Sequence, residues 1–214
     1  WLVQELARMR RIEAISQQRI AELEAVALVD PLTKLLNRRG GKDATEMLLR
    51  KRRREERRLQ SPYPLHHKKV SVMFIDVNDL KRVNDTYGHD VGDRVLSQLS
   101  RHLRVVFRRP EDIVCRHGGD EFIVHMIDSA GDSAVKRAQE LSRLIREDPK
   151  LSIGGCSISV SIGIVVADVH SADDINNLVD LADGLMYRSK IKKGSSHITT
   201  MLLFDVPPQT ITGK

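Results

Sequence analysis

The chain has 214 residues, of which 41% are hydrophobic, 30% charged and 4% aromatic, and its formal net charge is +6. That balance fits a globular protein of one domain plus an appendage, long enough to bury a sizeable core. There is no run of about 18 apolar residues and no signal peptide, and Cys115 and Cys156 lack partner cysteines at metal-ligand spacing, which excludes a membrane-spanning helix and a cysteine zinc site.

Residues 1–29 read as one helix. Leu2, Leu6, Met9, Ile12, Ile20, Leu23 and Ala27 recur at spacings of three and four, with a break near Ser16. The pattern predicts a short coiled coil over 1–28, a dimerising or linker helix, ahead of a domain over 29–214; packing against its own domain is the competing view. The chain starts at Trp1 without a Met and is expected to be part of a longer protein, with room for an upstream sensory domain or a membrane anchor. Asp30-Pro31 stops the pattern, because Pro removes a donor and disfavours helix at the residue before it.

A second helix is expected over 39–59. It holds most of the charge: residues 50–58 carry seven cations and two acids, +5 alone. No aromatic residues interleave with this block, so it reads as a solvated helix face with Glu–Arg pairs rather than a nucleic-acid footprint. Ser61-Pro62-Tyr63-Pro64 is a loop. Further elements are a buried strand over 70–77 containing Asp76, a helix over 91–107, hairpin strands over 113–116 and 121–127, a helix over 132–147, a strand over 157–166, a helix over 173–190 and a strand over 197–204. The alternation predicts an α/β fold with a mixed central sheet flanked by helices. Both cysteines fall in apolar, strand-like runs and are expected to be buried free thiols of a cytoplasmic protein.

The most informative stretch is Arg116-His117-Gly118-Gly119-Asp120-Glu121-Phe122. Two glycines read as a two-residue turn and let a ligand approach the backbone. The adjacent carboxylates repel each other unless a cation joins them, so they read either as a metal site or as acidic decoration of a solvated hairpin. Asp76 ends an apolar strand, where a carboxylate is poorly solvated without a positive partner. If that strand neighbours the hairpin, Asp76, Asp120 and Glu121 converge, with the Val77 carbonyl, into an all-oxygen site suited to Mg²⁺. Such sites serve phosphoryl transfer. Lys81 follows within reach of a phosphate. The stretch from Asn84 to Asp93 is dense in hydrogen-bonding groups that can read a guanine edge.

These motifs, in this order, resemble GGDEF-domain diguanylate cyclases over about residues 29–204. The resemblance rests on Asp30-Pro31-Leu32-Thr33 with Asn37-Arg38-Arg39, Phe74-Ile75-Asp76-Val77 through Lys81 and Asn84-Asp85, and Tyr87-Gly88-His89-Asp90 with Gly92-Asp93. It extends to the heptapeptide, Ser161-Ile162-Gly163-Ile164, and Ala182-Asp183 through Met186-Tyr187. It implies a palm-like fold and the condensation of two GTP into cyclic di-GMP by a homodimer. It also implies divalent metal, Mg²⁺ or Mn²⁺, on Asp76, the Val77 carbonyl, Asp120 and Glu121. Asp120 is then the proton acceptor, Glu121 is essential beside it, and Lys81 stabilises the transition state. Asn84 and Asp93 hold guanine with His89 nearby, Gly118 and Gly119 lie against the phosphates, and Lys190 contacts phosphate. Arg109-Pro110-Glu111-Asp112 matches the family's Arg-x-x-Asp inhibitory site, where Arg109 and Asp112 bind cyclic di-GMP. A catalytically silent receptor for GTP or cyclic di-GMP is the alternative implied function, and a scaffold using residues 50–58 a third. Three departures stand out: Asn78 replaces a frequent Asp, residues 190–195 carry a one-residue insertion that leaves Lys193 a candidate second cation, and residues 50–69 lengthen the first loop.

Overall fold

The computed structural model describes residues 28–58, 69–129, 131–169, 172–191 and 197–202, together with residues 5, 9–11 and 13. Those five isolated residues are helical. The rest of the expected coiled coil, the 61–64 loop and Lys193 lie outside the described residues.

In chain order the elements are β1 (Leu36–Asn37), α1 (Arg38–Arg58), β2 (Lys69–Val77), α2 (Leu80–Tyr87), α3 (His89–Val106), β3 (Asp112–Gly118), β4 (Glu121–Met126) and α4 (Gly131–Glu147). A 3₁₀ turn (Pro149–Leu151), β5 (Ser152–Ile153), β6 (Cys156–Ser157), β7 (Val160–Asp168), α5 (Ala172–Ile191) and β8 (His197–Leu202) complete it. Six strands form a mixed sheet in the order β1-β3-β4-β2-β7-β8, parallel at its two outer pairs and antiparallel within. The predicted α/β class with a flanked mixed sheet is what is observed.

β2 beyond half-buried Lys69 and all of β7 are buried, which is why both sequences are apolar on successive residues instead of alternating. Each face has its own core. Met73, Ile75, Phe122, Val124 and Ile162 pack with Leu99 and Leu103 of α3 and Leu141 and Ile145 of α4. Val72, Phe74, Ile123 and Val165 pack with Leu178, Ala182 and Leu185 of α5, with Leu48 and Leu49 of α1 beside them. The glycine of Ser161-Ile162-Gly163-Ile164 brings α5 close: a Cβ at Gly163 would lie 2.0 Å from the Ala182 carbonyl oxygen.

Three local expectations are corrected. Residues 80–87, to which the sequence reading assigned no element, form α2; burial of Leu80 and Val83 outweighs poor propensity. Gly88, at φ 88° and ψ 159°, separates α2 from α3, which starts at His89. The single strand expected over 157–166 begins at Val160, because Gly154 and Gly155, at φ 58° and 80°, form a two-residue turn that pairs Cys156–Ser157 with Ser152–Ile153. At 118–119, where that turn was expected, only Gly119 has a positive φ, at 39°. Gly118 pairs with Glu121 after a bulge, so the turn residues are Gly119 and Asp120. No helix among the described residues is long and apolar enough to cross a membrane.

Candidate active site

The sheet register builds the acidic site. Asp76, next to last in β2, pairs with Glu121 of β4 on one side and Ser161 of β7 on the other. Asp120, at the turn, accepts through its carbonyl the Val77 N–H at 3.1 Å. Asp76 is almost fully buried and accepts a 2.7 Å hydrogen bond from Lys190 Nζ, in the last turn of α5. Burial raises the Asp76 pKa, Lys190 opposes this, and the charges of Asp120 and Asp183 add to the rise. Burial likewise raises that of Glu121, reinforced by Asp120, Asp183 and Asp76. The Lys190 pKa also rises, because Asp76, Asp120 and Glu121 outweigh its desolvation. Although one ion pair should lower Asp76, its burial is the stronger influence.

The register brings Asp76 opposite Glu121 with Asp120 beside them, as expected if this strand neighbours the hairpin. Among the described residues no three His, Cys, Asp or Glu side chains lie close enough to hold an ion together. Uncompensated carboxylates repel, and the Lys190 ammonium stands where a cation would neutralise Asp76. The donors nevertheless fit a hard divalent cation: all are oxygens, and two carboxylates are under electrostatic pressure that a cation relieves. Lys190, expected to contact phosphate, pairs here with the Asp76 carboxylate.

The turn is braced from below. Arg116 donates to the Gly119 carbonyl through Nε at 3.1 Å and Nη2 at 2.7 Å, and to both oxygens of Asp30 at 3.1–3.2 Å. Asp30 also accepts from Thr33 N at 2.7 Å and Thr33 Oγ1 at 2.6 Å. Burial would raise the Asp30 pKa, but these donors outweigh it and hold it below the usual value. His117 packs edge-on to Phe74, ring centroids 5.5 Å apart. The β2–α2 loop is held through Asn78, whose amide donates to Ser159 Oγ at 2.9 Å and accepts from Ser161 Oγ at 2.8 Å. Lys81 is exposed in the first turn of α2.

Asn84 and the start of α3 are neighbours. An added Cβ at Gly92 would lie 1.9 Å from Asn84 Oδ1, so Gly92 makes room for the amide. That Oδ1 is buried with no hydrogen-bond partner, while His89 and Asp93 are exposed nearby in sequence on α3. Gly118 and Gly119 are exposed.

At the other end of the hairpin lie Arg109 and Asp112. The Asp112 side chain is fully buried; Oδ2 accepts from Arg109 N at 3.1 Å and from Arg137 Nη1 at 2.6 Å. Asp112, expected to bind a ligand with Arg109, lies inside the protein here and holds Arg137 beside the Arg109 turn. Arg109 is 39% exposed. Sequence reasoning missed Arg137, which no spacing rule links to Asp112, and gave no task to Asp183, although its motif was recognised. Cys115 is buried and free, its thiol pushed up to about 12 by burial.

A family described as "Diguanylate cyclase, GGDEF domain" matches residues 27–196. Diguanylate cyclase DosC of Escherichia coli K12 is 29% identical over 170 residues, covering 79% of this chain and 34% of that protein. The chain thus spans about a third of such curated relatives, 34% for DosC. The coiled coil and GGDEF domain of DgcB from Caulobacter crescentus, solved with c-di-GMP, superposes with a TM-score of 0.74 at 21% identity, covering 94% of this chain and 99% of that one. At that identity the likeness speaks for the fold alone. SiaD from Pseudomonas aeruginosa, solved with its activator SiaC, gives 0.60 at 27% identity, covering 95% and 73%.

Proposed function

The chain belongs to the GGDEF diguanylate cyclase family, and on that premise we propose that it condenses two GTP into cyclic di-GMP, releasing two pyrophosphates. The observation that carries this reading is the pairing of buried Asp76 with Glu121 beside Asp120, an excess of negative charge at one end of the central strands.

In this reading each chain holds one GTP. Asn84 and Asp93 bind the guanine, Asp93 accepting from N1–H and N2–H₂, with His89 alongside. Gly118 and Gly119 leave the turn backbone open to the phosphates, and Lys81 steadies charge on them. Asp76, Asp120, Glu121 and the Val77 carbonyl would hold Mg²⁺ or Mn²⁺, which when bound supplies charge neutralisation and acidifies the attacking hydroxyl. Lys190 then leaves Asp76 for a phosphate oxygen. Two chains face each other, and the 3′-oxygen of each GTP bonds to the other's α-phosphorus as the bond to pyrophosphate breaks. Asp120 receives the 3′-hydroxyl proton. The helix over 1–28 pairs the chains, and the domain works in the cytoplasm. Arg109, with Arg137 held by Asp112, binds the product and damps turnover.

The test is incubation of the chain, fused to a parallel dimerising coil, with GTP and Mg²⁺. Mass spectrometry should detect cyclic di-GMP from the wild type and none from Asp120→Asn. GTP binding without any product would instead support the receptor reading and overturn the enzymatic one.

A further inference from the structure

The Arg-x-x-Asp segment is touched by the helix whose basic block had no task. Arg52, midway along α1, donates to Glu111 Oε1 at 3.3 Å and pairs with Asp128 Oδ2 at 2.5 Å. All three side chains are largely shielded, at 24%, 25% and 22% exposure. The other oxygen of Glu111, Oε2, lies 3.7 Å from Arg109 Nε. Glu111 is therefore one carboxylate shared between two guanidiniums, one on the basic helix and one in the segment itself. Arg50 of the block differs: it is 71% exposed and pairs along its own helix, with Glu46.

We propose that Glu111 is an internal competitor for the anion site at Arg109, and that Arg52 sets how strongly it competes. The inference rests on the reading of Arg109 as a product-binding residue. A cyclic dinucleotide carries two phosphodiester charges. Seating one of them on Arg109 brings it beside Glu111, so the carboxylate must swing off Arg109 or stand against a like charge. Arg52 eases both costs. It holds Oε1 away from the ligand position and offsets the carboxylate's charge. Without Arg52, Glu111 is free to close fully onto Arg109. Without the Glu111 charge, Arg109 is open whatever Arg52 does. The helix that carries the basic block thus tunes product sensitivity through Arg52.

Calorimetric titration of the full chain with cyclic di-GMP tests this. Glu111→Gln should tighten binding by roughly tenfold, the effect of removing one close like charge at a partly shielded site. Arg52→Gln should weaken it by a similar factor. The double variant should match Glu111→Gln, because Arg52 acts only through that carboxylate. If Arg109→Ala removes binding while Glu111→Gln leaves it unchanged or weaker, the competitor fails and the product-site reading stands. If the wild type binds no cyclic di-GMP, or Arg109→Ala binds as well as wild type, both readings fall. Arg52→Gln also breaks the pair with Asp128, a residue at φ 57°; should it not fold, the Glu111→Gln arm decides alone.

Discussion

The hairpin β3–β4 carries charge at both ends, and the ends are built in opposite ways. At its base the acids are answered by guanidiniums: Asp112 by Arg137, Glu111 and Asp128 by Arg52. At its tip, Asp76, Asp120 and Glu121 surround Lys190 with Asp183 adding its charge to Asp76 and Glu121, and these last two carboxylates have raised pKa values. The ends are separated by the seven residues of β3, roughly 20 Å of extended chain. Where the protein supplies its own counter-charges, the acids serve structure, and Arg109, which the proposed function gives to an anion, has Glu111 beside it. At the tip Lys190 answers Asp76, and the neighbouring acids leave an excess of negative charge that a divalent cation would offset in the proposed function.

The comparison breaks most visibly through chemistry at the tip. Glu121→Gln should lower the rate of cyclic di-GMP formation by about a thousandfold or more, some 4 kcal/mol of transition-state stabilisation, measured by chromatography of product. It should leave cyclic di-GMP binding at Arg109 intact. Equal loss of both would mean that the ends are not independent.

The next effect belongs to the base and is one of stability. Asp112→Ala removes a fully buried carboxylate and strands Arg137, which is 20% exposed. The cost should be about 3 kcal/mol in urea denaturation, as for breaking a buried pair on one side. A loss below about 1 kcal/mol would make the pair ornamental.

A third test uses pH in the absence of divalent metal. The folded pKa of Asp76 is raised by burial, so the contribution of this group to stability is full below its unfolded value of 3.8 and is lost as pH rises through the folded value. Thermal melts should show Asp76→Asn gaining on the wild type as pH rises, with Mg²⁺ closing the gap at neutral pH. Asp30 runs the other way: its lowered pKa gives stability above 3.8 that is lost as pH falls through the folded value. Identical pH trends for Asp76→Asn and Asp30→Asn would refute the asymmetry. The smallest effect is expected on the exposed face of α1. Arg50→Ala, breaking an exposed pair with Glu46, should shift stability by no more than about 0.5 kcal/mol in the same denaturation assay.

The sheet and most helices were legible because strand burial and helical spacing write themselves into runs of apolar residues, as in 70–77 and 91–107. The tip was legible because Asp76, Asp120 and Glu121 sit in distinctive local motifs. Local rules misplaced the two-residue turn: Gly118-Gly119 and Gly154-Gly155 look alike, and the extra backbone length taken up by a bulge at 116–118 decides between them. The base was read only in part, since its partners are remote. Arg137 lies 25 residues from Asp112, and Arg52 lies 59 from Glu111. Such pairings follow from where α1 and α4 pack, and no periodicity records that.

The most direct test of the central claim, that the uncompensated tip is half of a two-chain active site, is product formation by mixed dimers at saturating GTP and Mg²⁺. A coil-forced dimer of one wild-type chain and one Asp120→Asn chain should yield almost no cyclic di-GMP, because each ring needs both half-sites. Retention of half the wild-type rate would contradict it, showing that a single tip completes the reaction alone.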